Sequence, residues 1–214
     1  MMKVFVIGAG GNVGRLAVEK LVAAGHQVMA GVHREAQVAD FKQQGVAAEI
    51  FDLLGQPEEM AKQLEGYDAI VFSAGSGGKT GSDMTILVDL DGAVKSMQAA
   101  EIAGVKRYVM VSAIFAEDRP KWISIKPYYA AKFYADEWLR HRTALDYTIL
   151  EPGALTFEPG TGQVTTKIPE EGGSISRTDV AAAIVASLQQ DKTIGKVIPL
   201  IQGDTPVEQA LQEI

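Results

Sequence analysis

Lys3-Val4-Phe5-Val6-Ile7-Gly8-Ala9-Gly10-Gly11-Asn12-Val13-Gly14 decides how this chain is read: a short apolar strand runs straight into a glycine-rich turn, and a helical pattern follows. Gly8, Gly11 and Gly14 fit G-x-x-G-x-x-G, whereas strict G-x-G-x-x-G fails because position 13 is Val. A tight turn needs φ > 0, the backbone must approach phosphates closely, and the helix must pack against the strand; glycine meets each demand. The N–H groups at the helix start then face an anion. A bound dinucleotide pyrophosphate is the expectation, and a plain glycine-rich loop is the alternative.

Outward from this turn, strand and helix patterns alternate. Val13, Leu16, Ala17, Lys20 and Leu21 recur at helical spacing, with Asn12 as N-cap and Gly25 as stop. Strands follow at 27–32, 47–51, 68–72, 107–111, 147–150 and 196–201, with helices at about 34–44, 58–64, 91–103, 128–141 and 177–189. Right-handed crossovers then place helices on both faces of a parallel sheet. The expected fold is α/β, a doubly wound parallel sheet of the Rossmann kind. A single domain spans residues 1–214, and the glycine- and threonine-rich stretch from Pro159 to Gly173 forms a loop or small substrate lobe.

The 214 residues are 47% hydrophobic and 22% charged, ordinary for a globular chain with one sizeable core. A formal charge of -7 argues against nucleic acid or an anionic membrane surface as partner, since either calls for a basic patch. With no cysteine there is no disulfide framework, thiolate nucleophile or cysteine-ligated metal. His26, His33 and His141 fall in no ligand spacing, so no metal is expected. The start of the chain lacks the pattern of a signal peptide, no apolar stretch reaches the roughly 20 residues of a membrane span, and a cytoplasmic location is the expectation.

The end of the second strand bears on cofactor choice. A carboxylate there serves the ribose hydroxyls of NAD, but this chain has Val32 followed by His33 and Arg34. A guanidinium can hold a 2′-phosphate by bidentate bonds, so NADP(H) is favoured over NAD(H); a solvated helix-start arginine is the other reading. The third strand leads to Asp52-Leu53, where the carboxylate either meets the adenine amino group or caps a helix.

Tyr128 and Lys132 form Y-x-x-x-K, whose i,i+4 spacing puts both on one helical face. Tyrosine is a poor acid at neutral pH, and a nearby ammonium lowers its pKa by stabilising the phenolate. Lysine at that position can also hold the nicotinamide ribose. Ser112 ends its strand at the carboxyl edge of the sheet, where its hydroxyl either bonds a substrate carbonyl or caps a turn.

Together these residues resemble the atypical short-chain dehydrogenase/reductase superfamily, in particular its small NAD(P)H-binding members related to sugar epimerases and dehydratases. The resemblance rests on GAGGNVG at 8–14, DL at 52–53, FSAG at 72–75, VKRYVMVSA at 105–113, YYAAK at 128–132, LEPGAL at 150–155 and SRTDVAAAIVASL at 176–188. It implies cofactor contact by Gly8, Gly11, Asn12, Val13, Arg34, Asp52, Ser73, Ala74, Gly75 and Lys132, with Ser112 and Tyr128 as the reacting pair. Too little chain follows Pro152 for the large substrate domain of the sugar-modifying members, which weighs against a nucleotide-sugar substrate.

The leading expectation is an NADPH-dependent oxidoreductase acting on a small carbonyl compound, as a monomer or homodimer. Residues 76–86, 114–127 and 153–175 would line the substrate pocket, with Phe115, Trp122, Tyr129 and Phe157 as apolar walls or as packing residues. A noncatalytic NADP(H) sensor and an epimerase or isomerase with retained cofactor are the alternatives.

Overall fold

The computed structural model describes residues 1–78 and 80–214. The first strand, β1 (Lys3–Ile7), is buried after its first residue and ends at Gly8, whose φ of +81° turns the chain toward helix α1 (Asn12–Ala23). The alternation continues through β2 (Gln27–Val32), α2 (Glu35–Gln43), β3 (Ala47–Ile50), α3 (Pro57–Leu64) and β4 (Ala69–Phe72). After β4 come a short helix α4 (Ser82–Met84), a π-helical stretch Thr85–Gly92 and α5 (Ala93–Ala103) as one run. The helix expected from about residue 91 therefore begins earlier, through a wider turn.

Strand β5 (Arg107–Val111), a 3₁₀ turn at Arg119–Lys121, α6 (Lys126–Arg142) and β6 (Asp146–Pro152) complete the part that carries the candidate chemistry. Beyond it lie β7 (Ala154–Thr156), β8 (Gln163–Thr165), β9 (Ser174–Ser176), α7 (Arg177–Gln189), β10 (Lys196–Gln202), β11 (Thr205–Pro206) and α8 (Val207–Gln212).

The nine-stranded sheet has the order β11-β8-β10-β6-β5-β4-β1-β2-β3. Every neighbouring pair from β3 to β10 is parallel, and β8 and β11 join antiparallel at the far edge. The fold is α/β with a Rossmann-like, largely parallel sheet. The stretch expected to form a separate loop or lobe instead contributes β8 to this sheet, through Ile201 opposite Thr165 and Gln202 opposite Val164.

Apolar residues cover both faces, as a parallel sheet requires. One core layer joins Val4, Val6, Ala17, Leu21, Ile184 and Leu200 beneath α1 and α7; the other joins Phe5, Ile70, Phe72, Met97, Leu139 and Ile149 beneath α3, α5 and α6. The strand order reverses between β1 and β4, and their carboxyl ends open the crevice in which ligands bind in such sheets. Among the described residues no helix is long and apolar enough to cross a membrane.

Candidate functional site

At that crevice lies a cleft of about 560 Å³. Its walls include Gly11, Asn12 and Val13 from the glycine turn, Ser73, Ala74 and Gly75 from the loop after β4, and Ser112, Tyr128 and Lys132 from β5 and α6. Residues far apart in sequence thus meet in one place. Gly8, Gly14, His33, Arg34, Asp52 and Leu53 do not line it.

Gly8 and Gly14 act behind the turn. A Cβ on Gly8 would stand 2.6 Å from Ala74, and one on Gly14 would press into the Gly8 carbonyl and lie 2.9 Å from the Ala9 Cα. Gly11 is different, since a Cβ there meets only the Gly8 carbonyl at 3.3 Å, at the cleft surface. No side chain caps α1, so the N–H groups of its first turn point outward at the positive end of the helix. His33 and Arg34 are exposed beyond β2, with Arg34 as the extended N-cap of α2. Asp52 is exposed and accepts from the Leu54 amide at 2.9 Å, which makes it a turn cap; α3 starts later, at Pro57.

The other wall is built from charge. Ile125, at φ +42°, turns the chain into α6 and accepts the amides of Tyr128 at 2.9 Å and Tyr129 at 3.2 Å. A left-handed β-branched residue is strained, and this one fixes Tyr128 in the first helical turn. Lys132, one turn on, is 4% exposed; its ammonium donates to the Val111 carbonyl at 3.1 Å and lies 3.8 Å from Asp89 Oδ1. It also stands 5.7 Å from the Tyr128 ring centre.

Asp89 was not singled out by sequence. The π-helical stretch carries it inward, where its other oxygen accepts the Ser76 amide at 2.9 Å and ties the loop after β4 to α6. Single π turns are frequent at functional sites because they re-aim side chains. A carboxylate inside the apolar run Ile86-Leu87-Val88-Asp89-Leu90 was the available signal.

Burial pushes the Tyr128 hydroxyl above its ordinary pKa, and the Lys132 ammonium only partly offsets this, because Asp89, Tyr129 and Asp136 act with burial. The expected lowering by Lys132 is present, but desolvation outweighs it, and Lys132 also faces Asp89. Ser112, 3% exposed, donates its hydroxyl to Asp136 Oδ2 at 2.5 Å.

Of the expected substrate-pocket stretches, Ser76, Gly77, Gly78, Thr80, Ser82, Thr85, Ile125, Pro127 and Leu155 reach the cleft; Lys79, within 76–86, lies outside the described residues. The four aromatic residues do not. Trp122 stacks on Tyr129 with centroids 6.2 Å apart and donates to the Phe115 carbonyl at 3.1 Å, Phe115 packs beneath Lys121, and Phe157 is 79% exposed beside Arg177. They brace or flank the site.

Comparison with known proteins matches residues 8–191 to a family described as NAD(P)H-binding. This chain belongs to that NAD(P)H-binding family. It is 47% identical to the uncharacterized sugar epimerase YhfK of Bacillus subtilis, covering 100% of both chains. It also resembles the solved oxidoreductase ylbE of Lactococcus lactis (43% identity, TM-score 0.90, 100% of this chain and 96% of that one). A Bacillus halodurans structure named as an NAD-dependent epimerase/dehydratase gives 38% identity and a TM-score of 0.93 over 100% of both chains. The uncapped start of α1 beside the open Gly11 surface fits the diphosphate of an NAD(P)H cofactor, which a Cβ at Gly11 would crowd.

Proposed function

We propose that this NAD(P)H-binding protein is an NADPH-dependent oxidoreductase of the short-chain dehydrogenase/reductase type, acting on a small carbonyl compound. The convergence of the α1 start, Ser112, Tyr128 and Lys132 on one cleft carries the reading. Gly11, Asn12 and Val13 would hold the diphosphate by backbone N–H groups, Ser73, Ala74 and Gly75 would border the nicotinamide half, and Lys132 would bond its ribose. When bound, the nicotinamide supplies the hydride.

This chain's own residues would then manage the proton. Tyr128, a phenol protonated at neutral pH, would donate to the oxygen of a carbonyl as charge develops there, with the Lys132 ammonium opposing the rise in pKa that burial causes. Ser112 would bond the same oxygen and fix its orientation. Arg34, exposed at the α2 N-cap, would bind the 2′-phosphate that distinguishes NADPH from NADH.

The names of the Bacillus relatives favour a second reading, an epimerase that returns the hydride to its substrate. Both readings are tested by titrating the purified protein with NADPH and NADH in a calorimeter, then following cofactor absorbance over a panel of aldehydes, ketones and quinones. Tight NADPH binding with Tyr128-dependent oxidation of the cofactor is expected. Substrate conversion without net cofactor consumption supports the epimerase, and no binding of either nucleotide overturns both.

A further inference from the structure

Behind Ser112, away from the cleft, lie two buried carboxyl groups that the proposed chemistry leaves unused. Asp136 follows Tyr128 and Lys132 on the same face of α6 at the next i,i+4 step and is 1% exposed. Glu151 sits on β6, which pairs with β5 through Val111 opposite Leu150, and the Ser112 amide donates to the Leu150 carbonyl at 2.7 Å. Glu151 is 7% exposed.

Their hydrogen bonding is incomplete in a telling way. Asp136 Oδ2 accepts from Ser112, while Asp136 Oδ1 and Glu151 Oε1 are buried with no partner. Two ionised carboxylates so placed would each need a donor, and an uncompensated buried charge is costly. Retaining a proton relieves that cost, and a proton on Asp136 Oδ2 can be donated to Ser112. The charged neighbours do not replace it. Lys132 also serves Asp89, and Arg140 on α6 is engaged by Glu117, from the loop after β5, and by Glu137 at 3.4 Å.

We propose that Asp136 is a positioning residue whose protonation state sets the direction of the Ser112 hydroxyl. This rests on the oxidoreductase reading given above. With Asp136 ionised, Ser112 spends its proton on Asp136, as in the arrangement described, and offers the cleft only a lone pair. With Asp136 protonated, its O–H donates to Ser112 Oγ, and the serine proton is free to donate to a substrate carbonyl. The form competent for carbonyl reduction is the one in which Asp136 holds the proton.

Burial pushes Asp136 up to about 7, with Glu117 acting the same way and Ser112, Lys132 and Arg140 opposing. Burial pushes Glu151 up to about 8, reinforced by Asp136 and Glu117 and opposed by Arg140. The exchange between the two hydroxyl directions therefore falls in the neutral range.

The test uses the full chain with NADPH and 9,10-phenanthrenequinone as the carbonyl probe, comparing wild type, Asp136→Asn and Glu151→Gln across pH 5.5 to 9 by kcat and KM separately. In Asp136→Asn the side chain at position 136 no longer titrates, and its amide N–H is available to donate to Ser112 Oγ at every pH. Wild-type kcat should fall up to about tenfold per pH unit above the transition, as loss of one essential proton requires. Asp136→Asn should stay within about twofold over the same range, and Glu151→Gln should keep the fall. An unchanged alkaline fall in Asp136→Asn overturns the proposal.

Infrared titration of the carboxylic-acid carbonyl stretch provides a second readout that needs neither turnover nor a folded Asp136→Asn variant. Wild type should show a protonated carboxyl titrating near neutrality, and Ser112→Ala should move it to higher pH by removing the bond that stabilises ionised Asp136. No such carboxyl, or identical titration in Ser112→Ala, overturns the proposal. Absence of quinone turnover with the infrared result intact would count against the oxidoreductase reading alone.

Discussion

The two walls of the cleft hold their shape by opposite means. The glycine-turn wall is backbone: Gly8 and Gly14 let strand, loop and helix approach to distances that no Cβ allows, and the first turn of α1 offers its N–H groups without a charged side chain. The α6 wall is charge taken out of water: Lys132 and Asp89 line it and Asp136 and Glu151 lie behind it, all under a tenth exposed. Backbone geometry is insensitive to pH and salt. Buried charge is costly, depends on every partner being present, and responds to protons. One wall suits a constant anion, and the other suits a reaction in which charge develops and disappears.

Breaking the charged wall should have the largest effect. Lys132→Met removes the cation that faces Asp89 at 3.8 Å and the donor to the Val111 carbonyl, leaving a buried carboxylate with only the Ser76 amide. Denaturant unfolding should show a loss of about 3 to 5 kcal/mol, the cost of stranding one partner of a buried pair. Combining it with Asp89→Leu should restore much of that loss, because the stranded charge is gone. Equal losses in the single and double variants would mean that the ion pair is not what holds α6 to the loop after β4.

Protons probe the same wall more gently. Asp136 and Glu151 have folded pKa values of about 7 and about 8, above their ordinary 3.8 and 4.5. Between these limits the folded chain binds more protons than the unfolded one, so stability is greatest on the acid side and is lost as pH rises through the folded values. Unfolding free energy should fall by about 6 kcal/mol between pH 5 and 8. The Asp136→Asn, Glu151→Gln double variant should show a much flatter profile by the same denaturant titration, whereas a profile as steep as wild type would place the titration elsewhere.

The difference between the walls also explains what could be read in the sequence. Local geometry leaves a local record: the G-x-x-G-x-x-G spacing after an apolar strand pointed to the turn, and alternating strand and helix patterns gave the succession of the main strands and helices along the chain. Tyr128 and Lys132 were legible because one helical face carries both. Asp136 was equally legible by one further i,i+4 step, yet a lone aspartate on a helix resembles any solvated residue until Ser112 and Glu151 are brought against it across β5 and β6. Asp89 was hidden by the π turn, which breaks the periodicity used to find helix faces. The edge strands β8 and β11 are short, and pairing partners distant in sequence create them.

Tightening the backbone wall tests its role as a spacer. Gly14→Ala places a methyl group against the Gly8 carbonyl and the Ala9 Cα, so α1 must shift away from β1. The cost should be about 2 kcal/mol by chemical denaturation, as for other overpacked contacts. Nicotinamide-nucleotide affinity should drop with it in calorimetry, since displacement of α1 moves the N–H groups facing the diphosphate. Unchanged affinity would mean that the nucleotide does not rely on the start of α1.

Arg34 lies outside both walls and gives the smallest expected effect. It is exposed, its backbone is extended at the α2 N-cap, and no ion pair holds its guanidinium among the described residues, so it is free to meet a phosphate at the end of β2. Because solvent screens it, its contribution to binding should be near the lower end for a charge-assisted bond, about tenfold in affinity. Arg34→Ala should therefore weaken NADPH about tenfold in calorimetric titration and leave NADH unchanged, with the difference shrinking as salt is raised. A parallel loss for both nucleotides would assign Arg34 to the shape of the turn rather than to the 2′-phosphate. Loss for neither would move the phosphate contact to another cation, with Arg15 a candidate because its side chain reaches across from α1 to Asp40 on α2 at 3.3 Å.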